Sequence, residues 1–172
     1  AETSFAISTN ESRPVYTGAL IEVDDNTMTM VAVDGYRMAL RREPVETCDV
    51  ESLKFIVPGA ALSDLEKICM SPEEPVKIAV GSKHVSFSVG DTVLISRRLE
   101  GEFLNFRKTV PGDFPIQLKA QRADLIRCTD RVSLIIDDRT KNPLRCVFGE
   151  NMLTIPCATP LGRAEDCCPL EG

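Results

Sequence analysis

A chain of 172 residues with 43% apolar and 27% charged side chains has the composition of an ordinary globular protein and the length of one large domain or two small ones. Its formal charge of −6 excludes a surface that grips nucleic acid all round, because phosphate binding is driven by Lys and Arg, but leaves room for a local basic face. No apolar run reaches the roughly 20 residues of a bilayer span, and the opening AETSFAIST lacks the basic start and apolar stretch of a signal peptide, so the expected compartment is the cytoplasm.

In chain order, residues 2–9 read as the end of a helix with Phe5 and Ala6 on its apolar side, broken at Arg13-Pro14. Residues 16–23 read as a strand and Asp24-Asp25-Asn26 as a turn. Residues 27–33 and 36–42 alternate with period two on either side of Asp34-Gly35, which predicts a hairpin closed by a two-residue type I′ turn. Tyr36 and Arg37 then stand just past the turn, either as a solvated charge beside a half-buried ring or as an exposed binding pair.

Residues 43–53 are polar and form a connection, and 54–57 a short strand running into Pro58, which suits a helix's first turn. The helix continues as GAALSDLEKICM with Ala61, Leu62, Leu65, Ile68 and Cys69 on one face, and Ser71-Pro72 stops it. Strands follow at 76–80, 84–89 and 92–97. Residues 99–112 show no period and lie between glycines, which predicts a linker. Beyond it come a strand at 114–120, a helix at 122–135 burying Leu125, Cys128, Val132 and Ile135, a polar loop at 137–142, and strands at 144–148, 152–156 and 164–170.

These elements amount to three copies of one plan, a helix and then three antiparallel strands, spaced by roughly sixty residues. The expected class is α+β: repeated helix-plus-three-strand units forming two-layer domains with antiparallel sheets, each domain made of two copies. The first copy lacks its opening strand and part of its helix, and the third has no fourth to pair with, so a fragment of a longer chain is expected.

No catalytic constellation stands out. The cysteines at 48, 69, 128, 146, 157, 167 and 168 have no paired CxxC spacing, and one His is too few for the common zinc arrangements, so no metal or cofactor is expected and most cysteines read as small core residues. His84 reads as a surface residue on a strand. A thiol activity at Cys167-Cys168 is the enzymatic alternative, although adjacent cysteines bridge only with strain. The absence of Trp argues against base-stacking platforms.

The motifs FAISTNESRPVYTGALIE, VAVDGYRMALR, FIVPGAALSDLEKI, VGDTVLISRRLEGEFLNF and DRVSLII, in that order, resemble the bacterial DNA polymerase III beta subunits, the sliding clamps. The resemblance implies that residues 1–112 are most of the middle clamp domain with the interdomain linker, and 113–172 the first half of the third domain. It further implies a non-catalytic processivity factor that forms a homodimeric ring around duplex DNA. Such a ring binds short linear motifs of the replicative polymerase, the clamp loader and other partners. A stand-alone peptide-binding module of the same fold is the alternative.

Carried over by position, the partner-peptide pocket would take Tyr16, Val33, Gly35, Tyr36, Arg37 and Met38, with Leu104, Lys108 and Thr109 from the linker, and would lie between the middle and third domains. Tyr16, Val33, Met38 and Leu104 would be its apolar floor, Arg37 a directed donor to peptide oxygens, and Gly35 a point of close backbone approach. The family's DNA-facing positions would be Asn10, Arg13, Lys67, Arg127 and Arg131; the plainer reading of the helical cations is a solvated face paired with Glu66 and Asp130. Val33, Tyr36 and Met38 stand where the family commonly has Thr, His and Leu, and 103–106 reads Phe-Leu-Asn-Phe where Pro, Asp and Tyr are usual. Those departures alter pocket depth and one polar contact.

Overall fold

The computed structural model describes residues 2–46, 52–69, 71, 74–136 and 143–171, in two compact units, Ala1–Val110 and Pro111–Gly172. The first unit opens with two short 3-10 turns, Ser4–Ala6 and Pro14–Thr17. Four strands follow: β1 (Gly18–Asp24), β2 (Thr27–Val33), β3 (Met38–Pro44) and β4 (Ser52–Pro58). They make an antiparallel sheet in the order β3-β2-β1-β4. Helix α1 (Gly59–Ile68) starts directly after Pro58, and β5 (Lys77–Val80), β6 (His84–Val89) and β7 (Thr92–Arg97) form a second antiparallel sheet in that order.

The register separates the faces of the first sheet. Ala19, Ile21, Ala32, Ala39, Phe55 and Val57 point to one side, where they are buried with Ala61 and Leu62 of α1, Ala6, and Val85 and Phe87 of β6. Leu20, Val31, Val33 and Ile56 point to the other, where Phe103 and Phe106 cover them. β1 is therefore buried at every position from Gly18 to Val23 and shows no alternation, as a strand covered on both sides should not.

That second cover shows that residues 99–110 of the expected linker pack on the first unit. Leu99 donates its amide to Ile56 O at 3.0 Å, and the segment ends in a one-turn helix, α2 (Phe106–Thr109). Phe103 and Phe106 are only 3% and 2% exposed, so this stretch is part of the core of the first unit. Each buried Phe contributes about 1.5–3 kcal/mol of apolar transfer, enough to hold an irregular segment on a sheet.

A buried carboxylate completes that contact. Glu22 of β1 lies on the covered face and is met by Lys54 Nζ at 3.2 Å and Arg107 Nη1 of α2 at 2.7 Å. The arginine contact is a close ion pair and not an aligned hydrogen bond. Both cations are more than half exposed, so their attraction is screened while the carboxylate stays desolvated. Glu22→Gln is expected to cost the first unit about 1–2 kcal/mol and to loosen α2. Urea unfolding at low and high salt checks this, and an unchanged midpoint would contradict it.

The hairpin turns differ from expectation. The type I′ geometry sits at Asp25-Asn26, with φ of 46° and 56°, directly between the paired Asp24 and Thr27. At Asp34-Gly35 only Gly35 has positive φ; the strands end at Val33 and Met38, and the Asp34 amide donates to Arg37 O at 3.3 Å across the connection. Asp34 Oδ1 accepts the amides of Tyr36 (3.0 Å) and Arg37 (3.1 Å), drawing both residues out of the strand expected to begin at 36. Other boundaries move for similar local reasons. The strand expected from 16 starts at Gly18 because residues 14–17 coil into a 3-10 turn, and of the helix expected at 2–9 only Ser4–Ala6 is helical. β3 runs to Pro44 and β4 starts at Ser52, both into the expected connection. Part of that connection, with Cys48, and Met70 and Pro72 at the expected helix stop lie outside the described residues.

In the second unit α3 (Arg122–Ser133) lies on the hairpin of β9 (Met152–Thr159) and β10 (Gly162–Pro169), with β8 (Val147–Phe148) beside β9. Cys128 and Val132 pack there with Leu153, Ile155, Cys157, Cys168 and Leu170; Leu125, expected in this core, is 37% exposed. The strand expected at 114–120 is not formed. Among the described residues Lys119 alone pairs, with Glu171 at 2.8 Å in both directions, while Phe114, Ile116 and Leu118 stay exposed. The strand expected at 144–148 pairs only at Val147 and Phe148, so Cys146 lies before it, and the expected loop at 137–142 is outside the described residues. Among the described residues ten strands form three antiparallel sheets, the second and third each preceded by a helix, which makes the class α+β. Among the described residues no helix is long and apolar enough to cross a membrane.

Candidate functional site

The floor of the site follows from the sheet. Val33, at the end of β2, is 4% exposed, and Tyr16, Met38 and Leu104 are half-buried around the same apolar cluster. Tyr16 is placed by its 3-10 turn, in which Thr17 Oγ1 donates to Pro14 O at 2.8 Å, and its ring meets Phe103 edge-on with centroids 5.4 Å apart. The docked 99–110 segment thereby fixes one side of the floor, and β3 the other.

The polar rim comes from the 34–37 connection. Tyr36 is 100% exposed. Arg37 donates from Nε to Asp34 Oδ2 at 2.7 Å, and its guanidinium stands 5.7 Å from the centre of the Phe5 ring. Gly35 needs its glycine for conformation, with φ of 93°, and a side chain there would meet nothing within 4 Å, so the front of the connection is open. Lys108 and Thr109 are exposed on α2, where Thr109 Oγ1 donates to Asn105 O at 3.1 Å. All nine positions expected of a peptide pocket thus lie in the first unit, on or beside one apolar cluster.

Asp34 is held below the usual carboxylate range, first by the Tyr36 amide and then by the Arg37 side chain. A depressed folded value means that its contribution is complete above the unfolded value of about 3.9 and is lost as pH falls through the folded one. An NMR titration is expected to place the Asp34 midpoint below that of an unstructured aspartate, with residues 35–37 unchanged at neutral pH. A midpoint at or above the unstructured value would contradict the hold on Arg37.

The expected DNA-facing residues are exposed but divided between the units. Asn10 Oδ1 accepts the Ser12 amide at 2.9 Å in the loop leading to Arg13. Lys67 pairs with Asp64 at 2.9 Å instead of standing only beside Glu66. Arg127 pairs with Asp124 one helical turn away. Arg131 reaches Asp166 on β10, not Asp130, and that contact together with the Cys167 amide holds Asp166 below the usual carboxylate range. Each helical cation therefore carries a carboxylate partner already, through ion pairs of the exposed, weakly stabilising kind.

Cys167 is exposed and Cys168 buried, on opposite faces of β10, and His84 is exposed on β6. Burial pushes the Cys128 thiol up, away from the reactive thiolate. A cavity of about 440 Å³ opens elsewhere in the first unit, between β4 and residues 98–103; Lys54 and Arg98 line it, and none of the residues 33–38 does. Sequence reasoning missed Phe5, Asp34 and Phe103 as parts of the site. The signal for Phe103 and Phe106 was their spacing of three within an otherwise aperiodic stretch.

Residues 1–105 match the family model described as DNA polymerase III beta subunit, central domain. The beta sliding clamp of Staphylococcus epidermidis is 34% identical over 160 residues, 93% of this chain and 42% of that protein. Among solved structures, the DNA polymerase sliding clamp of Bacillus subtilis superposes with a TM-score of 0.88 at 25% identity, covering 99% of this chain and 46% of that one. A Bartonella birtlesii sliding clamp bound to griselimycin gives a TM-score of 0.86 at 28% identity, covering 98% and 46%. The chain spans less than half the length of these relatives.

Proposed function

Because this chain belongs to the family of DNA polymerase III beta subunits, we propose that it is part of a replicative processivity factor that holds other proteins on duplex DNA and transforms none of them. In this reading residues 1–112 are most of the middle domain with its linker, and 113–172 the first half of the third, in a homodimeric ring working in the cytoplasm. The observation that carries the reading is the apolar floor of Tyr16, Val33, Met38 and Leu104 under an exposed Tyr36 and a fixed Arg37.

That surface suits a short peptide with apolar anchors, and the probe is a six-residue peptide carrying a Gln and a terminal Leu-Phe pair. The anchors would enter the floor, with Met38 adapting to their shape, and Arg37 would meet a carbonyl or carboxylate oxygen. The replicative polymerase and the clamp loader are the partners this chemistry would serve. DNA would be met by Asn10, Arg13, Lys67, Arg127 and Arg131. A sliding ring gains from weak contacts, and an overall negative charge keeps it from locking onto phosphate.

A stand-alone peptide-binding module is the second reading, favoured by the carboxylate partner on each helical cation. Loading assays on nicked circular DNA separate the two. A clamp is retained on the circle and released when the circle is cut; a module is retained on neither while still binding the peptide.

A further inference from the structure

We propose that Phe5 is a positioning residue for Arg37, holding the guanidinium ready for an oxygen of the bound peptide; this rests on the peptide-holding reading and deepens it. The 3-10 turn Ser4–Ala6 is anchored by Ala6, fully buried, and by the Ala6 amide on Thr3 O at 3.1 Å, and it lies against β2 and β3. The Phe5 ring is 60% exposed, so core packing does not account for a large apolar side chain there. What the ring does meet is the Arg37 guanidinium at 5.7 Å, within cation–π range.

Arg37 is therefore held at two points of different kind. Asp34 takes its Nε edge, and the Phe5 ring lies under its Cζ with the centroid 5.7 Å away. Neither Nη has a hydrogen-bond partner among the described residues, so the forked edge that recognises carbonyl or carboxylate oxygens is the part left available. An unsupported arginine loses much of its rotamer freedom when it binds; one already fixed at Nε and by an aromatic face loses less. Phe5 improves affinity in this way without touching the peptide.

The test compares native protein, Phe5→Leu and Phe5→Trp, each also in an Arg37→Ala background, by calorimetry with the six-residue peptide and by NMR of the Arg37 side-chain N–H groups. Phe5→Leu is expected to weaken binding about two- to fivefold, Phe5→Trp to restore it, and neither to matter once Arg37 is alanine. The Arg37 N–H resonances should lose their ring-current shift in Phe5→Leu and regain one in Phe5→Trp. Equal losses with and without Arg37, a Trp variant as weak as Leu, or an N–H spectrum indifferent to Phe5 would overturn the inference alone. Native protein that does not bind the peptide would remove the peptide-holding reading and the inference together.

Discussion

Phe103→Ala is expected to destabilise the first unit by about 3–5 kcal/mol, the largest effect of any single change considered for the fold. The ring is 3% exposed and covers Leu20, Val31, Val33 and Ile56, and alanine would leave a cavity that the sheet beneath cannot close without bending. For a domain of this size the loss corresponds to a fall in Tm of roughly 12 °C or more, a large fraction of ordinary domain stability. Tyr16 would also lose the edge-on partner that sets its angle, so peptide affinity should fall even where the variant remains folded. Thermal unfolding followed by probes in the first unit measures this. A loss below about 1 kcal/mol would mean that the segment from Leu99 to Val110 adds little to the core.

Met38→Asp is expected to weaken the six-residue peptide by more than about 2 kcal/mol, roughly thirtyfold, because binding would bury an unpaired carboxylate in the apolar floor. Met38 is half-buried at the first position of β3, paired with Val33, so the substitution strikes the floor while leaving the sheet centre untouched. Met38→Leu conserves volume and is the control, expected to stay within about 1.5 kcal/mol of native. Calorimetry checks both variants. Unchanged affinity in Met38→Asp would remove this surface as the peptide site.

Much of the architecture was legible because it is written in local periodicity. The alternation through 84–89 and 92–97 places β6 and β7 directly, and Pro58 marks the start of α1. What the sequence concealed depends on side chains acting at a distance or against a local preference. Asp-Gly favours a two-residue turn, but the Asp34 carboxylate captures two amides and makes a wider loop, while Asp25-Asn26 adopts the tighter geometry. Residues 99–110 have no period because they follow the contour of a sheet already built, so their apolar residues fall where that surface needs them. Arg131 and Asp166 stand 35 positions apart and meet only through the fold, whereas Asp130, adjacent in sequence, offered the nearer guess. Within the candidate site, the floor positions and Arg37 were named by resemblance; the Phe5–Arg37 contact was not, because a ring–cation contact leaves no spacing signature.

β1 is enclosed above and below, with Leu20 belonging to one layer and Ile21 to the other. Consecutive letters of the chain there answer to separate neighbourhoods: a change at Ile21 reaches the helix side, and a change at Leu20 reaches the wall where a ligand would rest. A saturation library across 19–23 should therefore show intolerance at every site with no rhythm, against a two-beat rhythm along β6, and the two kinds of failure in β1 should separate by whether yield or ligand capture is lost first.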